Sequence, residues 1–202
     1  MLVIGITGGV GSGKSRVLEY LRQHCNCKIV LADDVGNKVK EPGQKCYEQI
    51  VELLGKSVLN EDETINRGKM AEMIFAQKEV LNKINKIIHP AVEEYILAEI
   101  ENERRKGIVD VFFLEAALLI EAGYLQHLDE LWYIYTNKEV RKVRLKSSRQ
   151  YSDEKIEQIM KSQLTEEEFR KYANVIFDNS CEFDTTAVAI EKECIRLGMW
   201  KE

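Results

Sequence analysis

Hydrophobic and polar positions along the chain follow two alternating patterns. Segments with apolar residues three and four positions apart predict amphipathic helices. They separate short apolar runs that predict β-strands, at residues 2–7, 28–31, 108–114, 131–136 and 174–177. Strands that alternate with helices indicate a parallel sheet with right-handed crossovers. The pattern therefore predicts an α/β fold around a five-stranded parallel sheet.

The stretch between the second and third strands is too long for one crossover, since it has about seventy residues. It opens with Glu41-Pro42-Gly43 and contains apolar stripes at helical spacing around 46–54, 70–74, 81–88 and 92–100. Proline disfavours helix in the residue before it, so we expect the third of these helices to end at His89-Pro90. An all-helical insertion in such a sheet is a natural place for a second substrate.

The C-terminal third has a different character, because basic residues crowd the segment 138–149. Thr165 and Glu168 form a capping-box pattern, and residues 184–197 predict a terminal helix that Gly198 ends. We predict one domain over 1–202. Its parts are a core (1–40 and 107–202), a helical insertion (about 41–106) and a lid (about 141–165).

Composition excludes several classes of protein. With 45% hydrophobic and 31% charged residues the chain is ordinary for a soluble domain, and its net charge of −5 argues against a dedicated nucleic-acid binder. Five scattered cysteines, an odd number, make a disulfide framework a poor interpretation, so we expect reduced thiols. The longest apolar run, 111–120, is too short to span a bilayer. The N-terminal residues already form the pattern of a strand and a glycine-rich loop and not that of a signal peptide, so we expect a cytoplasmic protein.

The chemistry begins directly after the first strand, where residues 8–15 read Gly-Gly-Val-Gly-Ser-Gly-Lys-Ser. This matches the phosphate-binding pattern G-x-x-x-x-G-K-[ST] in the strand-to-helix context that it requires. The loop turns backbone N–H groups inward, and the helix beginning near Gly13 adds the positive end of its dipole. Lys14 can reach the β- and γ-phosphates, and the Ser15 hydroxyl can ligate Mg²⁺. A chance Gly-rich turn would not explain all of these features. The predicted nucleoside triphosphate site contains Gly8, Gly9, Gly11, Ser12, Gly13, Lys14 and Ser15.

Carboxylates follow two other predicted strands. Glu115 ends the third strand, where it can orient Mg²⁺ or its water; the alternative is an ordinary charge at a strand end. Asp33 and Asp34 follow the second strand, and a carboxylate there can take the proton of an incoming hydroxyl. The alternative is an N-cap for a helix starting near Val35. One of the two can cap while the other works.

Arginines between 141 and 149 can fold over the γ-phosphate, because guanidinium donors match phosphate oxygens. The alternative is a solvated helix face, the usual place of a charge run. Of the two we favour a phosphate-binding function for Arg141 and Arg144 acting together.

Taken in order, these segments resemble the dephospho-coenzyme A kinase family of P-loop small-molecule kinases over nearly the whole chain. The similarity starts with residues 4–15, which look like the family's opening. Further similar segments are Ala32-Asp33, Glu41-Pro42-Gly43, Asn66-Arg67, His89-Pro90, Leu118 to Glu121, Gln163 and the stretch 173–179. The resemblance implies the three-layer P-loop NTPase fold, with a helical acceptor-binding insertion and a lid.

The resemblance also implies a reaction: ATP, with Mg²⁺, phosphorylates the 3′-hydroxyl of dephospho-coenzyme A, a small-molecule substrate, and so completes coenzyme A. We expect a monomer or a small homo-oligomer that contacts neither membrane nor nucleic acid. Implied catalytic residues are Lys14, Asp33 and Arg144. The resemblance implies acceptor contacts at Asp33, Arg67, His89 and Pro90 and a metal ligand at Ser15. Beyond the resemblance, we expect further ATP contacts from Arg16, Arg141 and Arg149 and a second metal ligand in Glu115.

Some positions depart from the family pattern. Leu31 stands where a first aspartate is usual, Glu115 begins a segment that is usually Asp-x-Pro, and Ser148 replaces a common lid arginine beside Arg149. Two alternatives therefore stay open: a kinase for another small acceptor, such as a nucleoside or nucleotide, and a paralogue that binds nucleotide or coenzyme A without turnover.

Overall fold

The computed structural model describes residues 1–76 and 78–201, which form two compact units. The first unit contains Met1–Ile29 and the chain from Glu103 onward, and the second contains Val30–Asn102. Across the described residues, no helix is long and apolar enough to cross a membrane.

Five strands form one sheet in the order β2-β3-β1-β4-β5. β1 pairs in parallel with β3 and β4, and β4 pairs in parallel with β5. The strands are β1 Leu2–Thr7, β2 Cys27–Leu31, β3 Val111–Glu115, β4 Glu130–Tyr135 and β5 Val175–Asp178. The predicted α/β fold with a five-stranded parallel sheet is confirmed.

The third strand starts later than its apolar run suggests. The run predicts a start at Ile108, but that side chain is 69% exposed and follows Gly107, whose φ of 61° turns the chain. β3 itself begins at Val111 and is buried up to Leu114. Apolar character alone cannot separate a buried strand residue from an exposed one in the loop before it.

Register places the functional ends of the central strands together. Ile6 of β1 lies opposite Glu115 of β3, and Thr7 lies opposite Tyr133 of β4. The chain therefore leaves β1 at the same edge of the sheet where β3 and β4 end. Beneath this edge Phe112, Phe113 and Trp132 are fully buried, and burial of each such side chain contributes about 1.5–3 kcal/mol.

The first unit also contains helices among its described residues. They are α1 Lys14–His24, α6 Lys138–Arg149, α7 Asp153–Lys161, α8 Glu166–Tyr172 and α9 Phe183–Arg196. The capping box expected at Thr165 is present, with the Thr165 hydroxyl and the Glu168 carboxylate each bonded to the other's backbone N–H. The predicted lid, 141–165, thus consists of most of α6, all of α7 and the linker to α8.

The second unit is helical, as the sequence predicts. Its helices are α2 Ala32–Lys38, α3 Lys45–Leu54, α4 Arg67–Ala76 and α5 Lys78–Lys106, the last of which runs on into the first unit. The expected helix end at His89-Pro90 is wrong, because α5 continues through Pro90. Proline removes one helical hydrogen bond, to the Lys86 carbonyl, and a twenty-nine-residue helix tolerates this loss on an exposed face.

All five cysteines are free thiols, as expected. Cys25 and Cys194 lie buried with their Sγ atoms 3.8 Å apart. Burial raises the pKa of the nearby Cys27 thiol to about 11, which leaves it protonated and unreactive near neutral pH.

Candidate functional site

The glycine-rich loop joins β1 to α1 and needs glycine for a steric reason. Gly13, the N-cap of α1, has a left-handed backbone with φ 91° and ψ 20°. A Cβ at this position would lie 2.3 Å from Asn179 Nδ2. Both the backbone conformation and the space around it therefore exclude larger residues.

We expect Gly13→Ala to lower the free energy of unfolding by about 2–4 kcal/mol, from the left-handed backbone plus the clash with Asn179. Chemical denaturation measures this change. Gly123→Ala is the matched control. Gly123 is the N-cap of a short 3₁₀ helix, Tyr124–His127, and also has a left-handed backbone with φ 79° and ψ 15°, but a Cβ added there would meet nothing within 4 Å. It should lose only about 1–2 kcal/mol. Equal losses in both variants would contradict the steric explanation.

Behind the loop, three side chains converge on one carbonyl. Ser12 O accepts hydrogen bonds from Thr136 Oγ1 at 2.9 Å and Asn179 Nδ2 at 2.8 Å, with Arg144 Nη1 at 3.5 Å. Asn179 is itself buried and is held by the Thr186 hydroxyl at 3.1 Å. Because C=O and the following N–H point in opposite directions in a trans peptide, these contacts turn the Gly13 N–H away from them.

Sequence reasoning assigned no role to Thr136 or Asn179. Both directly follow strands of the sheet, β4 and β5, at the carboxyl edge. The rule that drew attention to Asp33, a polar residue just beyond a parallel strand, would have found them as well.

The two predicted lid arginines contact the main chain of this unit. Arg144 Nη2 donates to Asn179 O at 2.9 Å. Arg141 Nε donates to Val10 O at 2.8 Å, and burial lowers the pKa of its guanidinium, which nonetheless stays charged. Because both guanidinium groups are hydrogen-bonded to main-chain carbonyls, the alternative that these arginines belong to a solvated helix face is excluded for both.

Lys14 and Glu115 form an ion pair at the loop. Lys14 Nζ donates to Gly8 O at 2.8 Å and lies 3.5 Å from Glu115 Oε1. Their side chains are only 13% and 15% exposed, so water screens the pair weakly. The first residue of α1 thus places its ammonium group where the carboxyl end of β3 meets the loop.

The same place offers hard oxygen donors. Ser15 is exposed in the first turn of α1, and Glu115 supplies a carboxylate from the end of β3. Hydroxyl and carboxylate oxygens suit Mg²⁺, which keeps most of its other positions for phosphate oxygens and water. The donor set therefore fits a magnesium ion that is held jointly with a nucleotide.

The two other arginines predicted to contact the nucleotide, Arg16 and Arg149, lie over aromatic rings. The Arg16 guanidinium lies 4.2 Å from the centroid of Phe183, and that of Arg149 lies 6.0 Å from the centroid of Tyr151. Arg149 ends α6 and is exposed. The structure thus brings Arg141 and Arg144 to the loop but gives Arg149 a different neighbour.

In the second unit, the two aspartates lie inside α2. The helix begins at Ala32, with Leu31 as its N-cap, and not near Val35 as expected. The N-cap alternative is therefore wrong for both Asp33 and Asp34. Both are exposed in the first turn, where a carboxylate interacts favourably with the helix dipole.

A cavity of about 540 Å³ lies in the second unit and is rich in polar groups, among them Asn37, Lys40, Asn66 and Arg67. Burial lowers the pKa of Lys40, as does the nearby charge of Arg67, while Asp33 acts in the opposite direction. Two cations around one polar cavity suit an anionic ligand. Lys40 was missed in the sequence, where it is one of several lysines before Glu41.

His89 and Pro90, the other two predicted acceptor contacts, lie on α5, and both are exposed.

A strand, a phosphate loop bearing a lysine, and a helix, set in a five-stranded parallel sheet, form the P-loop nucleotide-binding fold. Solved structures agree with this class. Shikimate kinase from Bacteroides thetaiotaomicron matches with a TM-score of 0.55 at 13% identity, over 96% of this chain and 98% of that one, which shows the fold alone.

Other relatives are more specific. Dephospho-CoA kinase from Campylobacter jejuni matches with a TM-score of 0.74 at 25% identity, over 98% of both chains. Dephospho-CoA kinase from Dehalococcoides mccartyi is 37% identical over 197 residues, 98% of this chain and 96% of that one. The dephospho-CoA kinase family model matches residues 2–185. The chain belongs to the dephospho-CoA kinase family. It is an ATP-using kinase of a small molecule, and neither alternative left open by the sequence is favoured.

Proposed function

We propose that this chain transfers the γ-phosphoryl group of ATP to the 3′-hydroxyl of the ribose in dephospho-coenzyme A, the last step of coenzyme A synthesis. Family membership over nearly the whole chain, with the phosphate loop and Lys14 intact, is the observation that carries this proposal. The substrate oxygen bonds to the γ-phosphorus, the bond from that phosphorus to the β–γ bridging oxygen breaks, and ADP leaves.

On the nucleotide side, the loop N–H groups and the Lys14 ammonium bind the phosphates and stabilise the charge that develops during transfer. Gly8, Gly9, Gly11, Ser12 and Gly13 form the cradle. Arg141 and Arg144 are supported in this role by their contacts with the loop, and Arg16 and Arg149 belong to the same side.

Ser15 and Glu115 would hold Mg²⁺ together with the nucleotide. The ion, when bound, neutralises charge on the β- and γ-phosphate oxygens. The present ion pair between Glu115 and Lys14 keeps both groups beside the loop before a nucleotide enters.

On the acceptor side, Asp33 takes the proton of the 3′-hydroxyl. Support comes from its exposure in the first turn of α2 and from its effect on Lys40. The charge of Asp33 raises the pKa of Lys40, whereas that of Arg67 lowers it. Lys40 and Arg67 would bind the diphosphate of dephospho-coenzyme A in the cavity of the second unit. His89 and Pro90 belong to the acceptor side by family resemblance.

The chain acts in the cytoplasm, as a monomer or a small homo-oligomer, and binds no nucleic acid. Support for the last point is the net charge of −5, which leaves no excess of positive charge to neutralise a phosphate backbone.

An acceptor panel tests this function. ADP release should be at least about 10²-fold faster, in kcat/KM, with dephospho-coenzyme A than with adenosine, AMP or cytidine. The reason is that adenosine and cytidine lack both phosphates of the diphosphate, and AMP lacks one of them together with the pantetheine arm. Loss of two charge-assisted contacts costs about 1.5–3 kcal/mol each, which corresponds to roughly that factor.

The Lys14→Ala variant gives the background for this assay. A folded protein that binds ATP but releases no ADP with dephospho-coenzyme A would contradict the proposal. Preference for a nucleoside or nucleotide would support the alternative acceptor.

A further inference from the structure

The peptide groups around Val10, in the middle of the phosphate loop, are held from two directions. Val10 N donates to Gln163 Oε1 at 3.2 Å, and Val10 O accepts from Arg141 Nε at 2.8 Å. The Val10 N–H is therefore engaged by a side chain and is not offered to a phosphate. This separates it from the inward-facing N–H groups of the loop.

Gln163 also holds the arginine. Its Oε1 accepts from Arg141 Nη2 at 2.7 Å, so one oxygen serves both the loop and the guanidinium. Two donors at a single atom identify it as the amide oxygen and not the nitrogen. Gln163 lies in the linker between α7 and α8, far from the loop along the chain.

The guanidinium of Arg141 fits closely over the loop. A Cβ at Gly9 would lie 2.3 Å from Arg141 Nη2, so glycine allows the guanidinium to lie against the backbone. Gln163, Arg141 and Val10 form a closed set of three hydrogen bonds in one compact unit. Removal of the shared acceptor breaks two of these bonds at once.

This set determines the direction of the next amide. The Val10 carbonyl points to Arg141, and in a trans peptide the Gly11 N–H must point the opposite way. Gly11 follows with a positive φ of 82°, so the chain turns immediately after this peptide. Loss of the set would leave the Gly11 N–H free to rotate away from the position that suits a bound phosphate.

We propose that Gln163 is a positioning residue of the nucleotide site: its amide oxygen joins the Val10 N–H to Arg141 and so fixes the Gly11 N–H for phosphate binding. The inference rests on the proposed function only in taking ATP as the nucleotide. Gln163 acts through Arg141 and the loop backbone, and its role is independent of the acceptor.

Two substitutions of Gln163 distinguish a positioning role from direct hydrogen bonding to the nucleotide and from a merely structural role. Gln163→Leu keeps the approximate size and removes the acceptor, and Gln163→Glu keeps an acceptor oxygen and adds an ion pair with Arg141. We expect the Kd for ATP, measured by titration calorimetry without acceptor, to rise on the order of 10-fold in Gln163→Leu. In Gln163→Glu the rise should be clearly smaller than in Gln163→Leu, since the set of hydrogen bonds survives.

Gln158→Leu is the matched control, because Gln158 is exposed on α7 and the chemical change is the same. It should leave ATP affinity unchanged, and the KM for dephospho-coenzyme A should stay constant in all three variants. Unaltered ATP affinity in Gln163→Leu would overturn the inference. So would an equal loss in Gln163→Glu, which would mean that the amide donates to the ligand, or a parallel rise of both constants with a lower melting temperature, which would mean a merely structural role. Because the Kd for ATP is measured without acceptor, failure of the proposed reaction would leave the calorimetric comparison of the variants intact.

Discussion

Replacement of Lys14 by alanine is expected to reduce kcat by about 10²–10³-fold, the cost of removing one preorganised charged donor from the transferring phosphoryl group. The structure gives the reason that this site is sensitive. Lys14 Nζ is held at 2.8 Å by Gly8 O and stands 3.5 Å from Glu115, so its charge is already placed before ATP arrives. Steady-state ADP release with saturating substrates measures the effect.

A second lysine separates this catalytic effect from the simple loss of an ion pair. Lys106 Nζ pairs with the buried Glu103 carboxylate at 2.8 Å, on α5 and away from the phosphate loop. Lys106→Ala should change the free energy of unfolding but leave kcat within about 2-fold. If Lys14→Ala is folded and keeps more than a third of the wild-type kcat, Lys14 does not have the assigned role.

Asp33→Asn is expected to lower kcat by about 10²–10⁴-fold while the Kd for ATP stays unchanged. Asparagine has nearly the same shape but cannot take the proton of the 3′-hydroxyl. The affinity for ATP should persist because the phosphate cradle belongs to the loop at residues 8–15. Single-turnover kinetics, together with calorimetric titration of ATP, distinguish a lost base from lost binding.

The neighbouring residue supplies a matched control. Asp34 lies in the same first turn of α2, is also exposed and interacts with the same helix dipole. Asp34→Asn therefore removes an equal charge from an equivalent helical position and should leave kcat nearly unchanged. Full activity of Asp33→Asn, or equal losses in both variants, would show that Asp33 is not the base.

Much of the fold could be predicted because its signals are local. The buried parts of β1, β3 and β4 are continuous apolar runs, and the phosphate loop is a contiguous pattern between a strand and a helix. The ends of elements were less certain. α2 begins three residues earlier than expected and α5 passes through Pro90, since helix ends depend on packing as well as on local preference.

In the candidate site, only the residues that belong to a contiguous motif or to a strand end could be predicted. Lys14 and Glu115 were found from the loop pattern and a strand end, and they do lie together. The supports of the loop were not found, because each is a contact between distant parts of the chain. Asn179 binds Ser12 across 167 residues, and Gln163 binds Val10 across 153. No periodicity or short motif encodes such a pairing.

The anchoring of the Ser12 carbonyl has a consequence for synthesis of the protein. The glycine-rich segment leaves the ribosome well before Thr136, Arg144 and Asn179, which hold its backbone in place. A nascent chain that stops before β5 carries the complete loop sequence without the bonds that shape it. A bound nucleotide therefore stabilises the chains in which Asn179 has already reached the loop.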